Sequence, residues 1–195
     1  FLVSFEHHQE EVRRVGLYYL VAMQVSAAFL LAAFAWVTTL ANSLDFADFG
    51  SILGLPGTIS TCLFLLFLIG FGFKAGLLPV HTWLPLAHPA APTGVSALMS
   101  GVMIKTGIYG ILRLLTIGGV PNITMAYIVF GVSLLSGIFG VMNAIVQHDL
   151  KKLLAYHSIE NIGIIGIGIG LGMLGIAYRQ DAIALCGFLG GLLHV

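Results

Sequence analysis

The amino-acid sequence predicts an all-α, polytopic transmembrane helix bundle. Of its 195 residues, 58% are hydrophobic and only 8% are charged, whereas a soluble domain typically carries about 25% charged residues. Several apolar runs are long enough to cross a bilayer, which takes about 20 residues of helix. These runs do not alternate between polar and apolar positions, so a transmembrane β-barrel is excluded.

About six spanning segments within a single domain are predicted. The first stretch, residues 1–15, is mostly polar and is predicted to be a loop. Polar links with prolines and glycines separate the apolar runs that follow. The predicted helices cover residues 16–42, 58–87, 93–117, 123–147, 153–178 and 182–195. The chain has no initiator methionine and both of its ends resemble parts of helices, so truncation at both ends is expected.

Composition also bounds the function. The net charge is zero, which gives no electrostatic argument for binding nucleic acid. The two cysteines, Cys62 and Cys186, lie in apolar runs and show no spacing typical of a metal site or a disulfide framework. No nucleotide fingerprint or iron–sulfur motif is present. We therefore predict no cofactor, no metal and no catalytic residue in this chain.

Positive charges near the helix ends indicate the topology. Arg13 and Arg14 precede the first predicted helix, and Lys151 and Lys152 lie between the fourth and the fifth. Counting helices places both pairs on one side, which is predicted to face the cytoplasm. Arg113 and Arg179 fall on the opposite side and weigh against this orientation. The glycine-rich run at 163–175 favours close contact between helices.

Two lysines lie at similar depth within predicted spans. Lys74 is 16 residues after Thr58 and Lys105 is 12 residues after Thr93, which places them ~24 Å and ~18 Å along their helices. A lysine at the centre of a spanning helix costs ~2.5–3.5 kcal/mol, so such residues are functional candidates by default. In the alternative reading, each lysine pairs with a carboxylate and only locks the bundle.

A helix break is predicted beside Lys74. Pro79 removes a backbone donor, and Gly76 lies between the two residues. Unwound backbone at membrane depth is tolerated where it is buried in protein or lines a wet cavity, and broken helices recur in the ion pathways of transporters. A lysine at such a break can release and take up a proton when a nearby carboxylate moves. The pattern therefore predicts a proton path through Lys74 and Lys105.

Weaker candidates could extend this path. His81 follows the break, Tyr109 lies one turn after Lys105, and His194 is isolated in an apolar run. For each of them, a satisfied hydrogen bond between helices is an equally good interpretation. Three further histidines, His88, His148 and His157, lie near helix ends and are predicted to be interfacial. Glu160 and Asn161 fall in the first turns of a predicted helix, where an acidic side chain suits the helix dipole.

Three motifs carry a family resemblance. The segments FGFKAGLLPVHTWLP, HPAAPTGVSALMSGVMIKTGIYGILR and HDLKKLLAYHSIENIG resemble the antiporter-like membrane subunits. Such subunits occur in respiratory complex I, in multi-subunit cation/proton antiporters and in membrane-bound nickel–iron hydrogenases. The versions found here are most similar to the hydrogenase-4 and formate hydrogenlyase branch. The resemblance covers most of the chain from about Phe71 to Gly170.

The resemblance implies a fold with inverted repeats, each containing a broken helix. Lys74 matches the family lysine ahead of the break, and Lys105 matches the lysine that passes the proton onward. His194 resembles the first histidine of a later motif. The family glutamate that pairs with the equivalent of Lys74 is absent from these residues. The resemblance also implies a bacterial inner membrane location, other membrane subunits as partners and, through them, a peripheral redox arm.

The predicted function is proton translocation within a membrane oxidoreductase complex, with electron transfer carried out by other subunits. A hydrogenase-4-like complex is the first choice, and a complex I subunit with quinone as acceptor is an alternative. A cation/proton antiporter subunit without redox coupling would use the same two lysines. A purely structural membrane scaffold is the remaining alternative.

Overall fold

The computed structural model describes residues 2–5, 8–53, 57–118 and 122–195. Within these ranges the chain is helical and contains no strand. A short 3-10 turn, Leu2–Ser4, precedes eight α-helices. These are α1 (Glu10–Ala41), α2 (Phe46–Leu53), α3 (Thr58–Ala75), α4 (Leu84–Ala90), α5 (Thr93–Gly118), α6 (Ile123–Ile145), α7 (Leu150–Ala177) and α8 (Asp181–Leu193).

The predicted transmembrane bundle is confirmed. Five helices are long and apolar enough to cross a membrane, namely α1, α3, α5, α6 and α7. The sixth predicted span, 182–195, corresponds to α8, which is apolar but has only 13 residues. The order of the helices follows the predicted order, with boundaries that differ by a few residues except at the break between α3 and α4 and at the two places described next.

The first difference lies at the start of the chain. Helix α1 begins at Glu10, whereas residues 1–15 were predicted to form a loop, of which residues 1, 6 and 7 lie outside the described ranges. Glu10 and Glu11 occupy the first turn of α1. Carboxylates are favourable there because they face the positive end of the helix dipole, so the polar residues begin the helix instead of preceding it.

The second difference is helix α2, which lies where a polar link between two spans was predicted. Apolar residues recur in it at helical spacing, and Phe49 is only 3% exposed. Phe49 belongs to a hydrophobic cluster with Val37 of α1 and Leu63 of α3. Burial of this aromatic ring holds the short helix against the two spans that it connects.

Glycines bring α6, α7 and α8 into close contact. A methyl group built on Gly163 of α7 would lie 2.4 Å from the backbone nitrogen of Gly137 on α6, and one built on Gly168 would lie 2.6 Å from the Cα atom of Gly191. Distances this short leave no room for a side chain. The predicted role of the glycine-rich run in helix contact is therefore confirmed.

Helix α5 is not regular along its whole length. Its residues Met99–Met103 form a π-helical turn between two α-helical parts. Next to the first of these residues, the hydroxyl of Ser100 lies 2.9 Å from the hydroxyl of Ser158 on α7. Single π turns inside α-helices are frequent at functional sites, and this one ends two residues before Lys105.

Candidate functional site

The predicted break is present between α3 and α4. Helix α3 ends at Ala75, and Gly76 follows in the left-handed conformation with φ 77° and ψ 33°, which glycine adopts without steric cost. The N–H groups of Gly76 and Leu77 both donate to the carbonyl of Gly72, at 2.8 and 3.0 Å. Irregular turns that contain Pro79 then lead to Leu84. The segment predicted over 58–87 is therefore divided into α3 and α4, and the predicted interruption within it is confirmed.

Side chains from other elements satisfy the interrupted backbone. The N–H of Leu78 donates to the hydroxyl of Ser136 on α6 at 2.9 Å, and this hydroxyl donates in turn to the carbonyl of Val132 at 2.9 Å. The indole N–H of Trp83 donates to the carbonyl of Phe73 at 2.8 Å. Ser136 and Trp83 are both buried. The break is thus a fixed structure and not a frayed helix end.

Replacing Ser136 with alanine should destabilise the subunit by about 1–3 kcal/mol, because the buried N–H of Leu78 loses its acceptor. Ser133 on the same helix provides the matched control, since it is equally buried and its hydroxyl has no hydrogen-bond partner in the described part of the chain. Thermal unfolding of the full-length subunit in detergent measures both variants. Equal stability of Ser136→Ala and Ser133→Ala would contradict the assigned role.

Lys74 and Lys105 lie on either side of a helix crossing. A methyl group built on Gly107 of α5 would lie 2.7 Å from the backbone nitrogen of Ala75 on α3. Lys74 immediately precedes Ala75, and Lys105 precedes Gly107 by two residues, so the crossing brings both lysine-bearing turns together. Both lysines are half-buried. The break, the crossing and the two helix turns that carry the lysines therefore form one region, which we define as the lysine site.

The described residues provide no carboxylate for either lysine. The ion pairs found within the described ranges join Arg14 to Glu10 and His157 to Glu160. The ammonium group of Lys74 makes no hydrogen bond to any described residue. This arrangement does not support the alternative in which each lysine is locked by a carboxylate inside this part of the bundle. It agrees with the sequence analysis, in which the family glutamate that pairs with the equivalent of Lys74 is absent from these residues.

Lys105 is connected to the end of α8. Its ammonium group donates to the backbone carbonyl of Val195. The neighbouring residue His194 places its Nε2 atom 3.1 Å from the amide oxygen of Asn161 on α7. The structure therefore brings two predicted site residues, Lys105 and His194, to the same place. It adds Asn161, which the sequence pattern had assigned only to a helix end.

Two other predicted residues lie apart from this connection. The His81 ring lies within the turns of the break and packs edge-on against Phe139 of α6, with 4.8 Å between ring centroids. Tyr109 is 66% exposed and makes no hydrogen bond to a described residue. Neither side chain contacts a lysine through a hydrogen bond within the described ranges, and their roles in a proton path stay predictions.

His88, which is predicted to be interfacial, is buried within the protein. It is 1% exposed, and its Nδ1 atom lies 2.6 Å from the hydroxyl of Ser96. Close by, the ammonium group of Lys151 donates to the carbonyls of Pro89 and Ala91, at 3.3 and 2.9 Å. Lys151 therefore binds the link between α4 and α5, in addition to lying in the positively charged turn used to predict topology.

Metal ligation finds no support in the described ranges. No group of three or more His, Cys, Asp or Glu side chains lies close enough there to hold a metal ion. The titratable groups of α5, α7 and the end of α8 instead make three separate contacts: Lys105 with the Val195 carbonyl, His194 with Asn161, and His157 with Glu160. Groups of this kind can carry protons between them.

Comparison with known proteins shows which family and which relatives the chain resembles. Residues 1–186 match the family described as "NADH:quinone oxidoreductase/Mrp antiporter, TM". Hydrogenase-4 component B of Escherichia coli (strain K12) is 39% identical over 100% of this chain and 29% of its own length. Formate hydrogenlyase subunit 3 of the same strain is 41% identical over 68% of this chain and 22% of its own length. The chain thus spans less than a third of these relatives.

A solved structure agrees with the fold. The Mrp complex from Dietzia sp. DQ12-45-1b contains a chain that superposes with a TM-score of 0.75 at 22% identity, covering 94% of this chain and 36% of that one. Together with the family match and the identity to the two Escherichia coli proteins, the superposition confirms the resemblance found in the lysine and histidine motifs. The chain belongs to the antiporter-like membrane family of NADH:quinone oxidoreductases and Mrp antiporters.

Proposed function

We propose that the chain is part of a proton-translocating membrane subunit of an oxidoreductase complex, of the hydrogenase-4 or formate hydrogenlyase kind. One observation carries this proposal. A half-buried lysine, Lys74, lies one residue before the end of α3 at a backbone break, and the crossing at Gly107 brings the turn of Lys105 beside it. A passive scaffold has no use for two amines at that depth, given their cost in the membrane.

The geometry of the lysine site suits proton transfer. The backbone at the break is irregular, and hydrogen bonds with Ser136 and Trp83 hold it rigidly. The ammonium group of Lys74 has no hydrogen-bond acceptor among the described residues. An amine in such surroundings can release its proton and regain it when a carboxylate charge approaches. Lys105 would receive the proton and pass it toward His194.

The partners follow from the relatives. Both Escherichia coli relatives carry the names of components of hydrogen-metabolising systems, which supports other membrane subunits as neighbours of this chain. A peripheral redox arm would supply the free energy, since the sequence predicts no redox cofactor here. We place the subunit in the inner membrane of a bacterium, as a multi-pass protein.

Replacing Lys105 with alanine in the full-length subunit should remove proton uptake that depends on an electron donor, because the second amine of the relay is lost. Uptake is measured in vesicles that contain the complete complex, with the pH of the medium as readout. Lys152→Ala, which removes an exposed lysine in the first turn of α7, should leave uptake unchanged.

The same assay separates redox coupling from antiport. The family description covers both classes. Proton movement that requires a cation gradient and ignores the electron donor would replace the proposed function with that of a cation/proton antiporter subunit. Uptake that persists in Lys105→Ala would overturn the relay in either class.

A further inference from the structure

A carboxylate and an imidazole form a close pair on α7. The Nδ1 atom of His157 lies 2.6 Å from the Oε2 atom of Glu160. Helix α7 begins at Leu150, so Glu160 lies ten residues, or ~15 Å, inside the helix. The dipole effect falls off within the first turn. The predicted role of Glu160 as a helix-end charge is therefore wrong, and its presence needs another explanation.

The pair lies at the depth of the second lysine. The amide oxygen of Asn161, the residue after Glu160, accepts a hydrogen bond from Nε2 of His194 at 3.1 Å, and the carbonyl of the adjacent Val195 accepts one from the ammonium group of Lys105. These two contacts place the Glu160 turn of α7 level with Lys105 of α5. The carboxylate thus lies at the depth of Lys105 within its span and not at the surface of the membrane.

The surroundings of Glu160 are apolar on the side away from His157. Its side chain is 21% exposed and lines a groove of about 340 Å³ between α6 and α7. The other lining residues in the described part of the chain are apolar, among them Ile138, Met142 and Ile164. Helix α6 contributes no charged side chain to this groove. Among the described residues, the titratable side chain that contacts the carboxylate is that of His157, whereas His194 contacts the next residue, Asn161, and Lys105 binds the carbonyl of Val195 beside His194.

We infer that Glu160 and His157 are a proton-carrying pair that extends the relay beyond Lys105. A proton given up by the Lys105 ammonium group moves by way of the His194 imidazole to the pair. There it is shared between the Glu160 carboxylate and His157, so the pair changes from net charge −1 to zero and back. Asn161 acts as a positioning residue that holds the His194 ring beside the Glu160 turn. This inference rests on the proposed function.

Glu160→Gln in the full-length complex tests the pair. The amide keeps the size and a hydrogen-bonding oxygen of the side chain but binds no proton at physiological pH. We expect donor-dependent proton uptake by vesicles to be lost while the complex assembles. Glu10→Gln, which changes a carboxylate that is 78% exposed at the start of α1, should behave as wild type. Normal uptake in Glu160→Gln, with uptake lost in Lys105→Ala, would overturn the inference and leave the proposed function intact.

A second measurement uses the unaltered protein, so it still tests the pair if the Glu160→Gln complex fails to assemble. A membrane-permeant carbodiimide reacts with protonated carboxyl groups in apolar surroundings. Peptide mass mapping should find the adduct on Glu160 but not on the exposed Glu10. Lack of an adduct on Glu160 would overturn the inference. This readout does not depend on redox coupling, so it still decides the question if the proposed function fails.

Discussion

Replacing Lys74 with alanine in the full-length subunit is expected to abolish proton transport while the complex still assembles. Lys74 makes no hydrogen bond or ion pair with a described residue, so its loss removes no contact that holds these helices together. Removing a half-buried amine also relieves part of its cost in the membrane. Donor-driven proton uptake by vesicles and native gel electrophoresis of the complex measure the two effects separately.

Two controls sharpen this test. Lys74→Arg retains the positive charge, but a guanidinium does not release its proton in proteins, so transport should be lost here as well. Lys152→Ala removes an exposed lysine and should have no effect. Unchanged uptake in Lys74→Ala would refute the relay. Lost assembly would favour the scaffold interpretation instead.

Replacing Gly163 with alanine should destabilise the subunit by about 1–3 kcal/mol, the usual cost of overpacking a core. The added methyl group would lie 2.4 Å from the backbone nitrogen of Gly137. Backbone cannot move aside as a flexible side chain can, so α6 and α7 would have to separate. Thermal unfolding of the full-length subunit in detergent provides the measurement.

Gly131→Ala is the matched control for this change. A methyl group built at Gly131 of α6 meets no atom within 4 Å. Alanine should therefore stabilise the protein there by roughly 0.5–1 kcal/mol, since it restricts the unfolded chain and favours helix. If Gly163→Ala proved as stable as Gly131→Ala, the close contact between α6 and α7 would not exist in the membrane.

The transmembrane class and the break could be predicted because they depend on local sequence. A long apolar run forms a helix in a bilayer, because a helix satisfies the hydrogen bonds of its own backbone. Pro79 and Gly76 interrupt a helix wherever they lie, and a lysine such as Lys74 within an apolar run is conspicuous. The lysine site was therefore visible in the sequence as a set of residues, although not as a geometry.

The remaining features depend on partners that are distant in sequence. Nothing near Leu78 indicates that its N–H binds Ser136, which lies 58 residues later. The role of Glu160 was misjudged because the helix dipole acts only within the first turn, whereas Glu160 lies ten residues after Leu150, where α7 begins. Helix α2 was missed because its polar residues, such as Asp48, concealed the apolar spacing that buries Phe49.

The bond between Leu78 and Ser136 also sets an order of events during synthesis. A ribosome makes Leu78 well before Ser136, so α3 and α4 enter the bilayer with this amide still lacking its native acceptor. The broken segment reaches its final shape only after α6 has been inserted beside it. Completion of the break is thereby tied to the arrival of a later span, and a nascent chain released before α6 would carry an unfinished break.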